Sequence, residues 1–363
     1  MYFINKKRRT KVMERVRIKD IAAMAGVSVG TVDRVIHGRS GVSEESKVRV
    51  EKILDQLNYQ PNMYASALAS NRKYHFACLL PLHENGEYWS DVERGILQAT
   101  KTYTDFHVNH SLSFYDPYDY HSFTDAANRI LEEDPDGVLF APTRPEFTGP
   151  FVAQLNQRNI PYIYIDSNIR EYPALAFYGQ NSFQSGIFAA RMMMLAAGKE
   201  TTEIAIFRKI NDGIVGSNQQ ERREIGFREY MGQHFPECRI WELDLHAKRS
   251  EEDFNMLEHF FTCHPNLRSG ITFNSKAFII GEYLEQKGIT DFQLTGYDLL
   301  KRNIACLHRG SIFFLIAQQP SIQGFNGIKA LADHLILKKE VNRENFMPID
   351  LLTKENIDYY FKM

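Results

Sequence analysis

Polar side chains stand just beyond a series of short apolar runs. Asp116 follows residues 108–114, Pro142-Thr143-Arg144 follow 137–141, and Asp166 follows 161–165. Asn274 follows 270–273, Asp298 follows 293–296, and Gln318-Gln319 follow 313–317. Tyr88 and Trp89 come soon after the first such run, 76–80. Carboxylates, amides and an arginine beside aromatic faces suit a hydroxyl-rich small molecule such as a sugar. Planar groups match adjacent hydroxyls in pairs, and rings cover the sugar's apolar face. Other readings stay open. Asp166 and Asp298 also read as helix N-caps, Asn274 as a turn residue, and Tyr88 and Trp89 as rim or core aromatics. Arg144 could meet a carboxylate or phosphate on the ligand, or form a salt bridge between lobes.

Covalent chemistry finds no comparable support. There is no phosphate loop, no G-x-G-x-x-G, no H-E-x-x-H and no clustered Cys/His pattern. Asp134 and Asp136 precede a run rather than follow it, the wrong end for a site. Gly26-Val27-Ser28-Val29-Gly30 matches the G-x-S-x-G nucleophile elbow, but that motif needs a strand before the serine and the spacing there is helical. Cys78, Cys238, Cys263 and Cys306 are scattered, which reads as free thiols in a reducing cytoplasm. We therefore expect no catalytic residues, no metal and no cofactor.

The elements that position these residues follow from periodicity. The ten apolar runs 76–80, 108–114, 137–141, 161–165, 174–178, 203–207, 239–243, 270–273, 293–296 and 313–317 read as strands. Helices fall between them, such as 92–102, 123–132, 182–197, 222–234 and 277–286. Alternation of this kind argues for parallel sheets with helices on both faces, and ten strands suit two lobes of about five. In such sheets ligands sit outside the carboxyl ends of the strands.

The first sixty residues read differently. Ile18, Ile21, Ala22 and Ala25 have helical spacing, Gly26 is a helix stop, and Ser28 is an N-cap for a second helix with Val32, Val35 and Ile36 on its buried face. Gly38 ends it. Two short helices joined by a turn with glycine make a helix-turn-helix. A third helix, 44–57, is capped by Ser43 and carries a stripe of Val48, Ile53, Leu54 and Leu57. Net charge is −2 for the 363 residues, yet residues 1–75 hold 15 Lys/Arg against 7 Asp/Glu, leaving −10 for the rest. A basic head on an acidic body is the footprint of a nucleic-acid-binding module joined to a domain with another task. Lys6-Lys7-Arg8-Arg9 add basic charge to a tail expected to be disordered over residues 1–15, and Met13 is an alternative start. No apolar run approaches the ~20 residues of a membrane span, and no secretory signal is evident.

Lys19-Asp20-Ile21-Ala22, Ala25-Gly26-Val27-Ser28, Thr31-Val32 and Arg34-Val35, with Asn58-Tyr59-Gln60-Pro61-Asn62, Ala65 and Leu68-Ala69, resemble the headpiece and hinge helix of the lactose-repressor (LacI) family. The resemblance implies DNA contacts at Val29, Gly30, Thr31, Asp33, Arg34, His37, Asn62 and Leu68. Arg34 would grip guanine O6 and N7, or a phosphate. Val29 would meet a thymine methyl, Gly30 permit close approach, Thr31 bond a phosphate, and Leu68 wedge into the minor groove. Asp33 and Arg17 depart from the family's small hydroxyl residue and capping threonine. An acid at 33 suits DNA only if it accepts from cytosine N4 or pins Arg34. Pro161–Asp166, Arg222–Phe227, Phe273–Ser275 and Gly296–Asp298 resemble the family's effector domain, shared with periplasmic sugar-binding proteins. They imply ligand roles for Asp166, Arg223, Asn274 and Asp298, and Tyr88, Trp89, Asp116, Arg144 and Gln319 complete the candidate set.

The expected fold is an all-α helix-turn-helix headpiece plus an α/β effector domain of two doubly wound parallel-sheet lobes, like the type I periplasmic binding proteins. Expected boundaries are a headpiece over 16–60, a hinge over 61–73, and an effector domain over 74–363. Its first lobe would span about 74–177 and 302–330, and its second 178–301 and 331–363. The expected partners are operator DNA, a carbohydrate effector and a second copy of the chain, with a tetramer possible, in the cytoplasm on the nucleoid and away from membranes. A sugar-binding receptor or an α/β enzyme acting on a sugar is the alternative.

Overall fold

The computed structural model describes residues 16–36, 39–57, 59, 63–68, 70–198, 200–211, 213–246 and 252–360. The basic tail, Met13, His37, Gly38, Asn58 and Asn62 lie outside the described residues. The chain divides into two compact units, Met1–Ala69 and Ser70–Met363.

The first unit is helical: α1 (Ile18–Ala25), α2 (Val29–Ile36), α3 (Glu44–Gln56) and α4 (Met63–Leu68). The unusual Arg17 caps α1 through its backbone, its N–H donating to Asp20 Oδ2 at 2.9 Å. Gly26, at φ 64°, ends the helix in the left-handed region that glycine enters cheaply. Ser28 Oγ accepts from the Thr31 N–H at 3.1 Å and so starts α2. Ile21, Ala22, Ala25, Val32 and Val50 form a small core. One expectation is corrected here. Val48 is exposed, and the inward stripe of α3 is Val50, Ile53, Leu54 and Leu57, an i, i+3, i+4, i+7 series.

In the second unit strands and helices alternate. β1 (Tyr74–Pro81), α5 (Tyr88–Thr102), β2 (Val108–Tyr115), α6 (Tyr120–Glu132), β3 (Gly137–Phe140), α7 (Pro145–Gln157), β4 (Tyr162–Ile165) and β5 (Ala176–Gly179) come first. α8 (Ser182–Ala197), β6 (Glu203–Asn211), β7 (Ile214–Val215), α9 (Asn218–His234), β8 (Arg239–His246), α10 (Asp253–Cys263), β9 (Ser269–Thr272), α11 (Phe278–Lys287) and β10 (Gln293–Tyr297) follow. α12 (Lys301–Arg309), β11 (Phe314–Ala317), α13 (Pro320–Leu335), β12 (Glu344–Phe346), β13 (Asp350–Leu352) and α14 (Ile357–Tyr360) complete it.

Two sheets result. The first has the order β12-β5-β4-β3-β1-β2 and is parallel throughout. The second has the order β13-β11-β10-β9-β6-β7, with β8 also paired to β6, and only β7 and β13 run antiparallel. The strands β3 (GVLF), β4 (YIYI) and β11 (FLIA) are buried at every position, as parallel strands covered on both faces require. The ten expected strands divide five and five; β7, β12 and β13 were too short to announce themselves.

Pairing corrects the expected lobe boundaries. Residues 302–317 belong to the second lobe, because β11 hydrogen-bonds to β10. Residues 331–335 of α13 and all of β12 belong to the first, because α13 packs on α5 and β12 pairs with β5. The chain therefore crosses near residues 180, 318 and 348. Gln180 joins all three crossings: its buried Nε2 donates to Ala317 O at 2.7 Å and Pro348 O at 2.6 Å.

Each lobe has one close helix pair. In the second, α8 meets α9 through glycines: a Cβ on Gly186 would stand 1.9 Å from Arg223 O, and one on Gly226 2.0 Å from Phe183 O. In the first, a Cβ on Gly95 of α5 would stand 1.9 Å from Ser321 O of α13. These contacts set where Arg223 and Gln323 reach.

Candidate functional site

A cleft of about 180 Å³ opens at the carboxyl ends of the strands of both lobes. That is below the ~300–1,000 Å³ of pockets for drug-sized ligands, so it suits a single small ring. Its wall includes Tyr88, Trp89, Arg144, Asp166, Arg223, Asn274 and Asp298, seven of the nine ligand candidates.

Asp166 and Asp298 end β4 and β10 with φ of 66° and 71°, a left-handed turn that Asp tolerates better than most side chains. Neither caps a helix: the next helices start at Ser182 and Lys301, with Asn181 and Leu300 as their N-caps. Both carboxylates are buried. Gln219 Nε2 donates to Asp166 Oδ1 at 2.9 Å, and Ser167 Oγ to Oδ2 at 3.3 Å. Gln318 Nε2 donates to Asp298 Oδ1 at 2.5 Å. Burial pushes the Asp166 carboxyl up to about 6 and that of Asp298 to about 7, although the Arg223 charge and these hydrogen bonds pull the other way.

Arg223, on α9, is itself buried. It donates to Phe273 O at 2.9 Å and Gln318 Oε1 at 2.5 Å, and its guanidinium lies 3.9 Å from the centre of the Tyr297 ring. Its Nε is buried and has no partner among the described residues. Gln323, on α13, links three parts of the wall, accepting from the Asp166 N–H at 3.1 Å and donating to the Tyr88 hydroxyl at 3.1 Å and to Gln318 O at 2.8 Å. Tyr88 thus serves both readings, being packed with Val92 and Ile96 and lining the cleft, with Trp89 edge-on against it. Asn274 is a turn residue whose Oδ1 accepts from the Lys276 N–H at 2.8 Å, yet it too lines the cleft.

The other polar residues tie the lobes across the mouth. Arg144 meets Glu221 at 3.3 Å, the lobe–lobe salt bridge of the alternative reading. Lys276 meets Glu87 at 2.7 Å, and Asn218 Nδ2 donates to Thr143 O at 2.7 Å.

Two candidates lie off the wall. Asp116 accepts from the Tyr118 N–H at 2.9 Å, shaping the loop after β2 while Tyr118 lines the cleft. Gln319 turns away, its Nε2 on Asp350 Oδ2 at 3.0 Å, and Gln318 faces the cleft instead. Side-chain alternation along a strand could have separated those two. Gln219 was also within reach of sequence, since it lies four residues before Arg223 on one helix face. Lys209 was not. Its ammonium is buried against Asp253 at 2.7 Å and His246 O, and only the fold brings it to the cleft wall.

In the helical unit, Val29 and Gly30 open the exposed start of α2, and a Cβ on Gly30 would meet only Ser28 Oγ, at 3.8 Å. Thr31 Oγ1 is held by Ser28 Oγ at 2.9 Å. Asp33 pairs with Arg39 at 3.1 Å rather than with its neighbour Arg34. Arg34 is exposed, and no described residue pairs with its guanidinium. Leu68, at the end of α4, is 51% exposed.

Comparison with known proteins bears on both units. Residues 17–62 match the model for bacterial regulatory proteins of the lacI family, and residues 76–340 match that for the periplasmic binding protein domain. A crystal structure of a Bacteroides fragilis protein assigned as a LacI transcriptional regulator is 60% identical, with a TM-score of 0.78, covering 80% of this chain and all of that one. Catabolite control protein A of Staphylococcus xylosus is 27% identical over 229 residues, 60% of this chain; the match spans only 62% of that relative's length. The fold is shared with GanP, a glucose-galactose binding protein of Geobacillus stearothermophilus (20% identical, TM-score 0.67, covering 79% of this chain and 99% of that one).

Proposed function

The chain belongs to the lacI family of bacterial regulatory proteins, with a periplasmic-binding-protein domain after its helix-turn-helix, and from that premise we propose that it is a DNA-binding transcriptional regulator, a repressor of carbohydrate-utilisation genes, controlled by a sugar-like effector. The observation that carries the effector reading is the cleft itself. Two buried carboxylates, Asp166 and Asp298, flank a buried arginine among aromatic rings at the carboxyl ends of both sheets. Paired planar acceptors and donors match neighbouring hydroxyls, and Trp89 and Tyr118 line the same space.

The DNA reading rests on the exposed start of α2. Val29, Gly30, Thr31 and Arg34 form its base-reading and phosphate-binding side. Asp33 acts through Arg39, and Leu68 inserts at the operator centre. His37 and Asn62 belong to the same proposed contact set. Two copies of the chain occupy the two half-sites of a near-palindrome, because protein symmetry is mirrored in the DNA. Effector binding alters the lobe–lobe geometry that Gln180 pins, and so the DNA affinity; it acts only through unequal affinity for the two states. The setting is the cytoplasm, and the chain turns over no substrate.

The test is fluorescence anisotropy of the full chain on selected operator DNA, with and without sugars. Salt-resistant preference for one sequence, changed by a sugar, is the expected result. Equal binding to all DNA, or conversion of the sugar, overturns the reading.

A further inference from the structure

The helix that reads DNA carries no net charge. Asp33 and Arg34 are the only charged residues of α2, and they cancel. Val32, Val35 and Ile36 pack into the headpiece core. At about 100° per residue, Gly30, Asp33 and Arg34 therefore share the outward side. An acid on that side faces a row of phosphates, which repel it. Arg39 answers this charge. Its backbone N–H donates to Arg34 O at 2.8 Å, which ties it to the last turn of α2. Its guanidinium reaches back to Asp33 Oδ2 at 3.1 Å, while the side chain stays 64% exposed. Arg39 is not among the contacts that the family resemblance implies.

So exposed an ion pair adds little to stability in water. Its worth lies at the DNA surface. A helix in the major groove meets base edges with its N-terminal residues. The C-terminal end, where Arg39 stands, runs out toward the sugar-phosphate backbone. One guanidinium nitrogen holds Asp33. The fork has five N–H donors in fixed geometry, which leaves others to meet a phosphate oxygen.

We propose that Arg39 is an operator contact, a phosphate-binding residue positioned by Asp33, and that Arg39 in turn is what allows an acid on the reading helix. This rests on the DNA-binding reading and adds a contact to it. The experiment is fluorescence anisotropy of the full chain on operator and random DNA across a salt series. The variants are Arg39→Ala, Arg39→Lys, Asp33→Ser and the double Asp33→Ser/Arg39→Ala, each checked for unchanged melting. Arg39→Ala should weaken binding to both DNAs about tenfold or more and flatten the salt dependence by about one counterion per headpiece. Arg39→Lys, which keeps the charge without the fork, should keep the salt dependence and lose part of the affinity. On the Asp33→Ser background the loss from Arg39→Ala should be about threefold smaller or less still, because no acid is left unpaired. An unchanged salt dependence in Arg39→Ala, or an equal loss on both backgrounds, overturns this inference and leaves the DNA reading standing wherever the parent prefers its operator. A parent that binds operator and random DNA equally overturns both.

Discussion

Replacing Asp298 with Asn should stabilise the ligand-free protein, and more so at high pH. Burial raises the Asp298 carboxyl from its ordinary 3.8 to about 7 in the fold. The folded state therefore holds a proton that the unfolded chain has released between those values. Below about pH 4 both states are protonated and ionisation costs nothing. As pH climbs toward 7 the fold loses stability, and above 7 the loss is complete. A gap of about three pH units, at ~1.4 kcal/mol per pH unit, amounts to on the order of 4 kcal/mol. At pH 5 only about 2 kcal/mol of that has developed. Asn has no charge to bury, is close in shape, tolerates φ near 71°, and keeps an oxygen for Gln318 Nε2. The variant should thus gain roughly 4 kcal/mol over the parent at pH 8 and about half that at pH 5. Taking the difference between the two proteins at each pH cancels the titrating groups that do not interact with Asp298. Both tryptophans, Trp89 and Trp241, lie in the cleft-bearing unit, so urea unfolding followed by their fluorescence reports that unit. A difference between variant and parent that is the same at pH 5 and pH 8, or a destabilised variant at pH 8, would refute the argument from burial.

Arg34→Ala should lose about 1–3 kcal/mol of operator discrimination while keeping salt-sensitive binding to random DNA; competition anisotropy measures both. Leu68→Ala should weaken operator binding without changing effector affinity, compared by anisotropy and calorimetry. Arg223→Ala or Asp166→Ala should abolish the effector's influence on DNA binding but leave operator affinity in place, and normal induction by either would show the pocket is wrongly assigned. Gly186→Ala forces a methyl against Arg223 O, so α8 and α9 must part. A stability loss of about 1–3 kcal/mol in urea, with weaker effector binding, is expected.

Much of this was legible because it depends on neighbours in sequence. The α1 stop at Gly26, the Ser28 cap and the ten strand cores follow from turn chemistry and periodicity alone. So did the placing of Asp166 and Asp298, since a polar residue just past an apolar strand stands at the carboxyl end of a sheet. Val48 misled because it fits a helical stripe almost as well as Val50, and only packing against α1 and α2 selects between them. Gln319 misled because its neighbour Gln318 has the same chemistry.

The sequence by itself determined that a basic helix-turn-helix precedes an α/β unit with carboxylates at its strand ends, since local chemistry suffices for each. Only the tertiary structure decided which strands share a sheet, because hydrogen-bond pairing joins residues far apart in the chain. It moved β11 to the second lobe and β12 to the first, and it made Gln180 the joint of the three crossings. It also decided which charges cancel. Arg144 reads in sequence as a cation available to a ligand carboxylate or phosphate, or to a salt bridge between lobes. The fold gives it Glu221, and it gives Lys209 and Lys276, which it brings to the cleft wall, Asp253 and Glu87.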